Sequence, residues 1–363
     1  MIRIISLLTF FFLFTFVESK AQGCVATRGM SSCGGGMGSS INLKEGEFQI
    51  QSGFRYFESF RHFRGDHEEA NRVAEGTEVI NHSSFLDLTL NYGITDRIFV
   101  NTTIPFVYHT RSSMYEHGGN PPAPGLGERH KTTSNGLADI RVGIGYWLFD
   151  PLDNEYNYSI TLGAKLPSGS YDYKDLFYNQ GANRNVDIET VVDQSIQPGD
   201  GGTCLNIDIQ GYHPINHEIG ISSNVFYMAN PKETNGIKTR TGTMEYSCPD
   251  QYGGRLGAFY NSMDGWNIYL GGRIEGVPSS DIIGGSAGFR RPGYAVSVEP
   301  GAGYFYKGFA AFLSAPIAMY RNRVQSYDDL EKTRVNGVFT NGDAAFADYL
   351  ISFGLSYRFG GSH

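Results

Sequence analysis

Residues 85–106 read FLDLTLNYGITDRIFVNTTIPF. Positions 86, 88, 90 and 92 are Leu, Leu, Leu and Tyr, and the even positions from 98 to 106 are apolar or threonine, whereas most odd positions are polar. Alternation with period two is typical of a β-strand with one apolar face. The Gly-Ile-Thr-Asp stretch at 93–96 favours a tight turn. The segment therefore predicts a β-hairpin.

The same unit recurs along the chain from Glu47 to Phe359, and we count about twelve alternating stretches with no convincing helical period. The connections alternate between short turns and long loops. A transmembrane β-barrel has this parity, because short turns lie on the periplasmic rim and long loops on the extracellular rim. The long connections are roughly 61–82, 110–135, 168–200, 231–250, 276–292 and 321–346.

The composition supports the same interpretation. Of 363 residues, 47 are Gly, 23 Tyr and 25 Phe, and only 18% are charged. Beyond the N-terminus no apolar run reaches the roughly 20 residues that a membrane-spanning helix needs, so any membrane span must consist of strands. The formal charge of −8 disfavours nucleic acid as a partner.

The first 21 residues have the pattern of a signal peptide. Arg3 precedes an apolar run from Ile4 to Val17, and Ser19-Lys20-Ala21 fits a cleavage site. We expect the mature chain to begin at Gln22 with a Cys- and Gly-rich segment, residues 22–45, as a candidate plug. The barrel then covers residues 46–359, and residues 360–363 form a C-terminal tail.

The apolar face of each strand carries aliphatic residues in the middle and aromatic residues towards the ends, such as Tyr92, Trp266 and Tyr304. This order matches the aromatic girdles of a membrane barrel. Strands in hydrocarbon must also close on themselves to satisfy their backbone groups. We therefore predict an all-β protein, a closed antiparallel transmembrane barrel of about twelve strands in the outer membrane of a Gram-negative bacterium. A secreted β-sandwich or solenoid is the alternative fold.

The opposite face of the strands points into the lumen. Its charged residues have both signs, which favours internal ion pairs over a selectivity ring of one sign. We expect inward glycines, among them Gly145 and Gly257, to leave space or let the sheet bend. The predicted lumen-lining charges are Arg55, Asp87, Asp139, Arg141, Lys165, Asp208, Arg255, Arg273, Glu275, Glu299 and Arg358.

The chain has four cysteines, and an even number in an exported protein predicts disulfides. Cys204 and Cys248 fall on the extracellular rim by strand parity, so we predict that they pair. Cys24 and Cys33 share the N-terminal segment and are expected to pair too. Because methionines accompany them, a soft-metal site there is the alternative.

No catalytic motif, cofactor motif or metal-ligand spacing stands out, so we predict a protein that is not an enzyme and has no cofactor. The histidines at positions 109, 117, 130, 213 and 217 are expected to be solvated loop residues. The predicted partners are outer-membrane lipid and an unidentified small solute; the oligomeric state is not predicted.

Three segments carry a family resemblance. They are residues 135–151 (NGLADIRVGIGYWLFDP), 162–173 (LGAKLPSGSYDY) and 196–214 (IQPGDGGTCLNIDIQGYHP). Their strand starts and ends resemble those of the transporter-like outer-membrane family named for the MetA pathway of phenol degradation. The resemblance implies a channel that admits hydrophobic aromatic compounds. We therefore expect passive uptake, with residues 22–45 or inward loops narrowing the lumen. A structural or adhesin-like barrel and an outer-membrane hydrolase are the alternatives.

Overall fold

The protein is described here by a computed structural model that covers residues 22–23, 42–119, 129–151 and 153–361. Twelve antiparallel strands pair in chain order, and the last pairs with the first, so the sheet closes into a barrel. The predicted fold is confirmed. The hairpin at its centre pairs from Gly93 with Phe99 to Ile80 with Ser112.

The barrel strands have the following bounds. They are β1 (Glu47–Arg64), β2 (Ile80–Gly93), β3 (Ile98–Ser112), β4 (Lys131–Leu137 and Arg141–Trp147), β5 (Asn157–Lys165), β6 (Cys204–Pro214), β7 (Ile219–Ala229), β8 (Gln251–Asn261), β9 (Trp266–Val277), β10 (Gly293–Tyr306), β11 (Phe309–Ser314 and Ile317–Asn322) and β12 (Ala344–Ala347 and Ile351–Gly360).

Two of the interrupted strands face a proline. The amide of Ala138, in the break of β4, donates to the carbonyl of Pro105, and the amide of Ala315, in the break of β11, donates to that of Pro300. A proline has no N–H for the ladder, so regular pairing weakens around it. The regular ladder is therefore interrupted at these two places, while one backbone hydrogen bond still crosses each break.

The long loops carry the smaller elements. The helix Tyr327–Asn336 begins with a capping box between Ser326 and Asp329 and ends at Gly337 in the left-handed conformation. No helix among the described residues is long and apolar enough to cross a bilayer. The other elements are the helix Asn71–Ala74, the 3₁₀ turns Tyr115–His117 and Gln194–Ile196, the strand His67–Glu68, and the hairpins Lys174–Gln180 with Val186–Val191 and Thr234–Lys238 with Glu245–Ser247.

The outer surface of the barrel is apolar, as the alternation predicts. Large side chains there stay more than half exposed, for example Leu162, Leu205 and Leu256 at 58%, 59% and 61%. Such a continuous exposed apolar band is expected where lipid, rather than water, covers the protein. The aromatic residues Trp266 and Tyr304 lie together at the short-turn rim, with ring centroids 5.0 Å apart.

The N-terminal predictions fall mainly outside the described residues. The signal peptide, Cys24, Cys33 and most of the 22–45 segment belong to this part of the chain. The exceptions are Gln22–Gly23, whose backbone pairs with Ala347 and Phe346 of β12, and residues from Asn42 onward. The plug and the Cys24–Cys33 bond therefore stay predictions.

Candidate functional site: the lumen

Most of the charged residues predicted to line the lumen form ion pairs with one another. Arg55 and Arg141 share one carboxylate, because their guanidinium nitrogens lie 3.1 Å and 3.5 Å from the oxygens of Asp87. Asp87 and Arg55 are on adjacent strands, β2 and β1, while Arg141 is on β4. The expectation of internal pairs is confirmed for this group.

A second group lies on the opposite wall, on β8, β9 and β10. Glu299 is 1% exposed, and its carboxylate is 3.7 Å from Arg255 and 3.6 Å from Arg273. Arg273 also contacts Glu275 at 2.7 Å. Buried charges are tolerated when they are paired in this way.

A third group connects the wall to a loop. The ammonium group of Lys165 contacts the carboxylates of Asp139, at 3.3 Å, and Asp200. Asp139 in turn accepts hydrogen bonds from the backbone amides of Gly169 and Asp200. The remaining predicted residues are also partnered, since Asp208 accepts from Asn224 at 2.9 Å and Arg358 lies 3.7 Å from Glu47.

A cavity of about 170 Å³ lies in the lumen between these groups and the long-loop rim. We call it the outer chamber. Its lining mixes aromatic rings, a thioether, amides and the charges just described. The residues that line it include Phe57, Phe85, His109, Asp139, Arg141, Lys165, Gln194, Gln197, Asp200, Met228, Tyr246, Gln251, Arg290 and Arg291.

The loop between β5 and β6 closes the outer chamber from outside. Its turn Gln194–Ile196 folds inward, Ile196 is fully buried, and the hydroxyl of Ser134 donates to the Ile196 carbonyl. Asp193, at the start of this turn, accepts two hydrogen bonds of 2.8 Å from Arg291 and lies 3.7 Å from Arg111. An inward loop therefore narrows the lumen. This is one of the two alternatives given in the sequence analysis, the other being residues 22–45.

Asp193 stays charged in this position. Burial alone would raise the pKa of its carboxyl, but the guanidinium groups of Arg111 and Arg291 lower that pKa well below its ordinary range. The amide of Ser195 also donates to the carboxylate. The charge of Asp193 thus ties the loop to two neighbouring elements.

Below the chamber, five aromatic side chains fill the lumen towards the short-turn rim. Phe99 and Trp147 have ring centroids 5.9 Å apart, and Trp147 and Tyr212 6.4 Å. The amide of Asn42 donates to the Tyr212 hydroxyl. The sequence analysis did not select these residues, although they lie on the inward phase of their strands, which was the available signal. This aromatic cluster consists of Phe99, Trp147, Tyr212, Phe259 and Tyr269.

Several inward glycines are covered rather than open. An ideal Cβ on Gly145 would lie 2.1 Å from the ring of Phe99, and one on Gly257 would lie 2.6 Å from the ring of Tyr269. Each ring thus lies over a glycine of the neighbouring strand. Of the two expected roles of Gly145 and Gly257, leaving free space is wrong, because neighbouring aromatic rings occupy it, whereas bending of the sheet at these glycines stays a prediction.

A second cavity, of about 250 Å³, lies at the short-turn rim. Tyr212 and Phe259 of the aromatic cluster form part of its lining, together with Asn261 at the end of β8. The cluster therefore separates two spaces, the outer chamber and this inner cavity. Any solute that crosses the barrel along its axis must pass the cluster.

Cys204 and Cys248 are free and buried in the structure, so the predicted disulfide is not formed there. Cys204 packs with Phe226 and Met228, whereas the Cys248 thiol donates to the carbonyl of Asp200. Burial raises the pKa of Cys248 to about 12, so the thiol stays protonated. The pairing remains a prediction that peptide mapping would test.

Two histidines differ from expectation. His109 and His117 are each 1% exposed, so they are not solvated. Strand β3 continues to Ser112, which turns His109 inward beside Phe85 at 5.1 Å between ring centroids. His117 stacks on Phe177 and accepts the backbone N–H of Tyr178 at Nδ1. His213 and His217 are exposed, as expected.

The lumen and the closed sheet define the class of protein. The chain superposes on an outer-membrane channel from Pseudomonas putida F1 with a TM-score of 0.57 and 11% identity, covering 87% of this chain and 97% of the other. The chain has the fold of an outer-membrane channel and belongs in the outer membrane of a Gram-negative bacterium.

A particular family also matches. The sequence profile described as "Putative MetA-pathway of phenol degradation" matches residues 70–209, which confirms the resemblance over this part of the chain. Weaker structural matches are a Pseudomonas aeruginosa FadL homologue (TM-score 0.44, 8% identity, 92% of this chain and 99% of the other) and the Pseudomonas putida toluene transporter TodX (0.42, 10%, 95% and 100%). No curated protein matches the chain.

Proposed function

We propose that this barrel admits small, neutral, hydrophobic or aromatic molecules by passive diffusion. The observation that carries the proposal is the outer chamber, where Phe57, Phe85 and Met228 supply apolar contact among amides and paired charges. Ligand sites in proteins commonly combine a mostly apolar lining with a few placed polar groups. An outer-membrane barrel with such a chamber is suited to a solute rather than to a purely structural role.

The charges around the chamber favour a neutral solute. Arg141 is paired with Asp87, Lys165 with Asp139 and Asp200, and the fully buried Arg290 with Asp281. Because these charges neutralise one another, the chamber offers little attraction to a free ion of either sign. An ion would also lose hydration on entry.

The size of the chamber favours a molecule of one ring. A cavity of roughly 150 Å³ lined by apolar residues accommodates benzene, and the outer chamber measures about 170 Å³. The description of the matched family, which names phenol degradation, agrees with this size. Larger aromatic systems would require the inward loop to move.

The test is uptake by cells that lack the gene and carry it back on a plasmid. Radiolabelled single-ring aromatics and, as a control class, disaccharides are supplied at concentrations where the outer membrane limits entry. We expect the wild-type chain to accelerate entry of the aromatics and not of the disaccharides.

Two outcomes would contradict the proposal. Equal uptake of every compound with and without the chain would favour a closed structural or adhesin-like barrel. Hydrolysis of a chromogenic ester by the purified protein, without conductance in planar bilayers, would favour the hydrolase alternative.

A further inference from the structure

Four neighbouring strands place one row of inward residues beside the outer chamber. Gly163 of β5 pairs with Asn206 of β6, Asn206 with Met228 of β7, and Met228 with Gln251 of β8. Met228 and Gln251 line the chamber. Asn206 is next to Met228 in register and buried on the same inward face, so it lies beside one residue of the chamber lining, and its other register neighbour, Gly163, has no side chain.

The two amides of this row have unused hydrogen-bonding atoms. Asn206 is 4% exposed, and neither its Oδ1 nor its Nδ2 has a hydrogen-bond partner within the described residues. The buried Oε1 of Gln251 is also unpartnered there. Buried polar side chains nearly always have partners, because each unsatisfied group destabilises the folded state.

A neighbouring asparagine shows that the wall can satisfy such a group. Asn224, inward on β7, donates from Nδ2 to Asp208 at 2.9 Å. The amide of Asn224 is thus satisfied by the wall, whereas neither polar atom of Asn206 has a partner among the described residues. The difference distinguishes two chemically identical side chains on adjacent strands.

Between the two unused amides lies a soft apolar surface. Met228 is 1% exposed and packs with Cys204 and Phe226. A thioether adapts to irregular partners and makes favourable contacts with aromatic rings. The row thus combines one apolar contact with hydrogen-bonding groups on both sides.

We propose that Asn206, Met228 and Gln251 form a recess that selects solutes carrying a hydroxyl group on a small apolar body. A hydroxyl both donates and accepts, so it can satisfy Oδ1 and Nδ2 of Asn206 or the Oε1 of Gln251. A hydrocarbon of the same size leaves these amides unpaired, and sites built to bond a hydroxyl reject such analogues. The inference rests on the proposed function and names the solute more narrowly.

The experiment compares phenol with toluene, in which a methyl group replaces the hydroxyl. Purified barrel in detergent is titrated with each compound by calorimetry, and the heat of partition into protein-free micelles is subtracted. We expect the wild type to bind phenol about 5- to 30-fold more tightly than toluene, the range typical of one buried hydrogen bond.

The test variant is Asn206→Leu, which keeps the size of the side chain and removes both polar atoms. Phenol affinity should fall by that same factor, while toluene affinity stays equal or rises. Asn224→Leu is the matched control, and its ratio of phenol to toluene affinity should equal that of the wild type. Heat-modifiable gel mobility confirms that each variant is a folded barrel. If Asn206→Leu does not fold, Gln251→Met serves in its place with a smaller fall expected.

An unchanged affinity ratio in a folded Asn206→Leu or Gln251→Met variant would overturn the recess, as would an equal shift in the Asn224→Leu control. Failure of the wild type to bind phenol would also overturn it. Uptake by cells decides the proposed function separately, since a channel that admits both compounds alike would retain that function without this selectivity.

Discussion

Asp193 offers the sharpest test of how the lumen is closed. The variant Asp193→Asn keeps the shape of the side chain but removes the charge that faces Arg291 and Arg111. Asparagine can still accept the N–H of Ser195, so the local turn retains its cap. The change therefore isolates the ionic attachment of the inward loop.

The expected magnitude follows from burial. The Asp193 side chain is 10% exposed and that of Arg111 is 2% exposed. Removing one partner of a buried ion pair typically destabilises by about 3–5 kcal/mol, and we expect the lower part of that range here because Arg111 keeps its ion pair with Glu116 at 3.0 Å. In a barrel that closes independently of this loop, the loss should appear as easier opening of the loop. An opening equilibrium raised by about two to three powers of ten corresponds to this energy.

Hydrogen exchange measured by mass spectrometry reports the opening directly. Amides in residues 193–200 should exchange about 100- to 1000-fold faster in the variant, while the amides of β6 keep their protection. Conductance in planar bilayers should rise as well, because residues 194 and 197–200 line the outer chamber.

Asp187→Asn is the matched control. Asp187 lies in the hairpin of the same loop, is exposed, and accepts one backbone hydrogen bond of 3.2 Å from Asn179. Exposed substitutions of this kind usually change stability by less than about 0.5 kcal/mol. Unchanged exchange in Asp193→Asn, or equal acceleration in Asp187→Asn, would refute the role of the Asp193 charge.

Three further predictions concern other parts of the lumen and loops. Burial lowers the pKa of His117 to about 4 from the ordinary 6.5, so the open loop binds a proton that the packed loop does not, and packing of the loop weakens as the pH falls from 6.5 towards 4. Hydrogen exchange of residues 114–119 should therefore accelerate at pH 5 in the wild type but not in His117→Gln. An exchange rate of the wild type that does not change with pH in this way would contradict the prediction. Trp147→Ala should raise single-channel conductance, because Trp147 is 1% exposed within the aromatic cluster. The same substitution should destabilise the folded barrel by about 3–5 kcal/mol. Equal conductance of variant and wild type would show that the cluster does not limit passage. The Cys204–Cys248 disulfide should appear in a peptide map made without reductant, and free thiols at both positions would show that the prediction is wrong.

The architecture could be predicted from the sequence because period-two alternation and loop parity are local properties. They assign each residue to the lipid or lumen face without knowledge of strand neighbours. Arg55 and Asp87 were therefore predicted to line the lumen, yet their pairing depends on how β1 and β2 align. Register is a relation between strands, and it became visible only in the folded barrel.

The closure of the lumen was harder to predict because it depends on loop segments in which apolar and polar residues do not alternate regularly. Asp193 and Gln197 lie in a loop whose inward fold is fixed by Arg291, about a hundred positions later in the chain. His109 was expected to be solvated in or beside a long loop from about residue 110, whereas pairing with β2 extends the strand to Ser112. Long-range contacts decided both cases.

Aromatic rings lie over several inward glycines, so a single methyl group added at such a glycine would change the width of the lumen. An added methyl at Gly145 or Gly354 would meet the rings of Phe99 or Phe312 at 2.1 Å and 2.0 Å. Neither ring could stay flat on the wall, and a methyl group beneath it would push it towards the lumen. Substitution to alanine would then constrict the passage without placing any new side chain in it. The width available to a solute thus depends on glycines that lie beneath the rings and do not contact the solute.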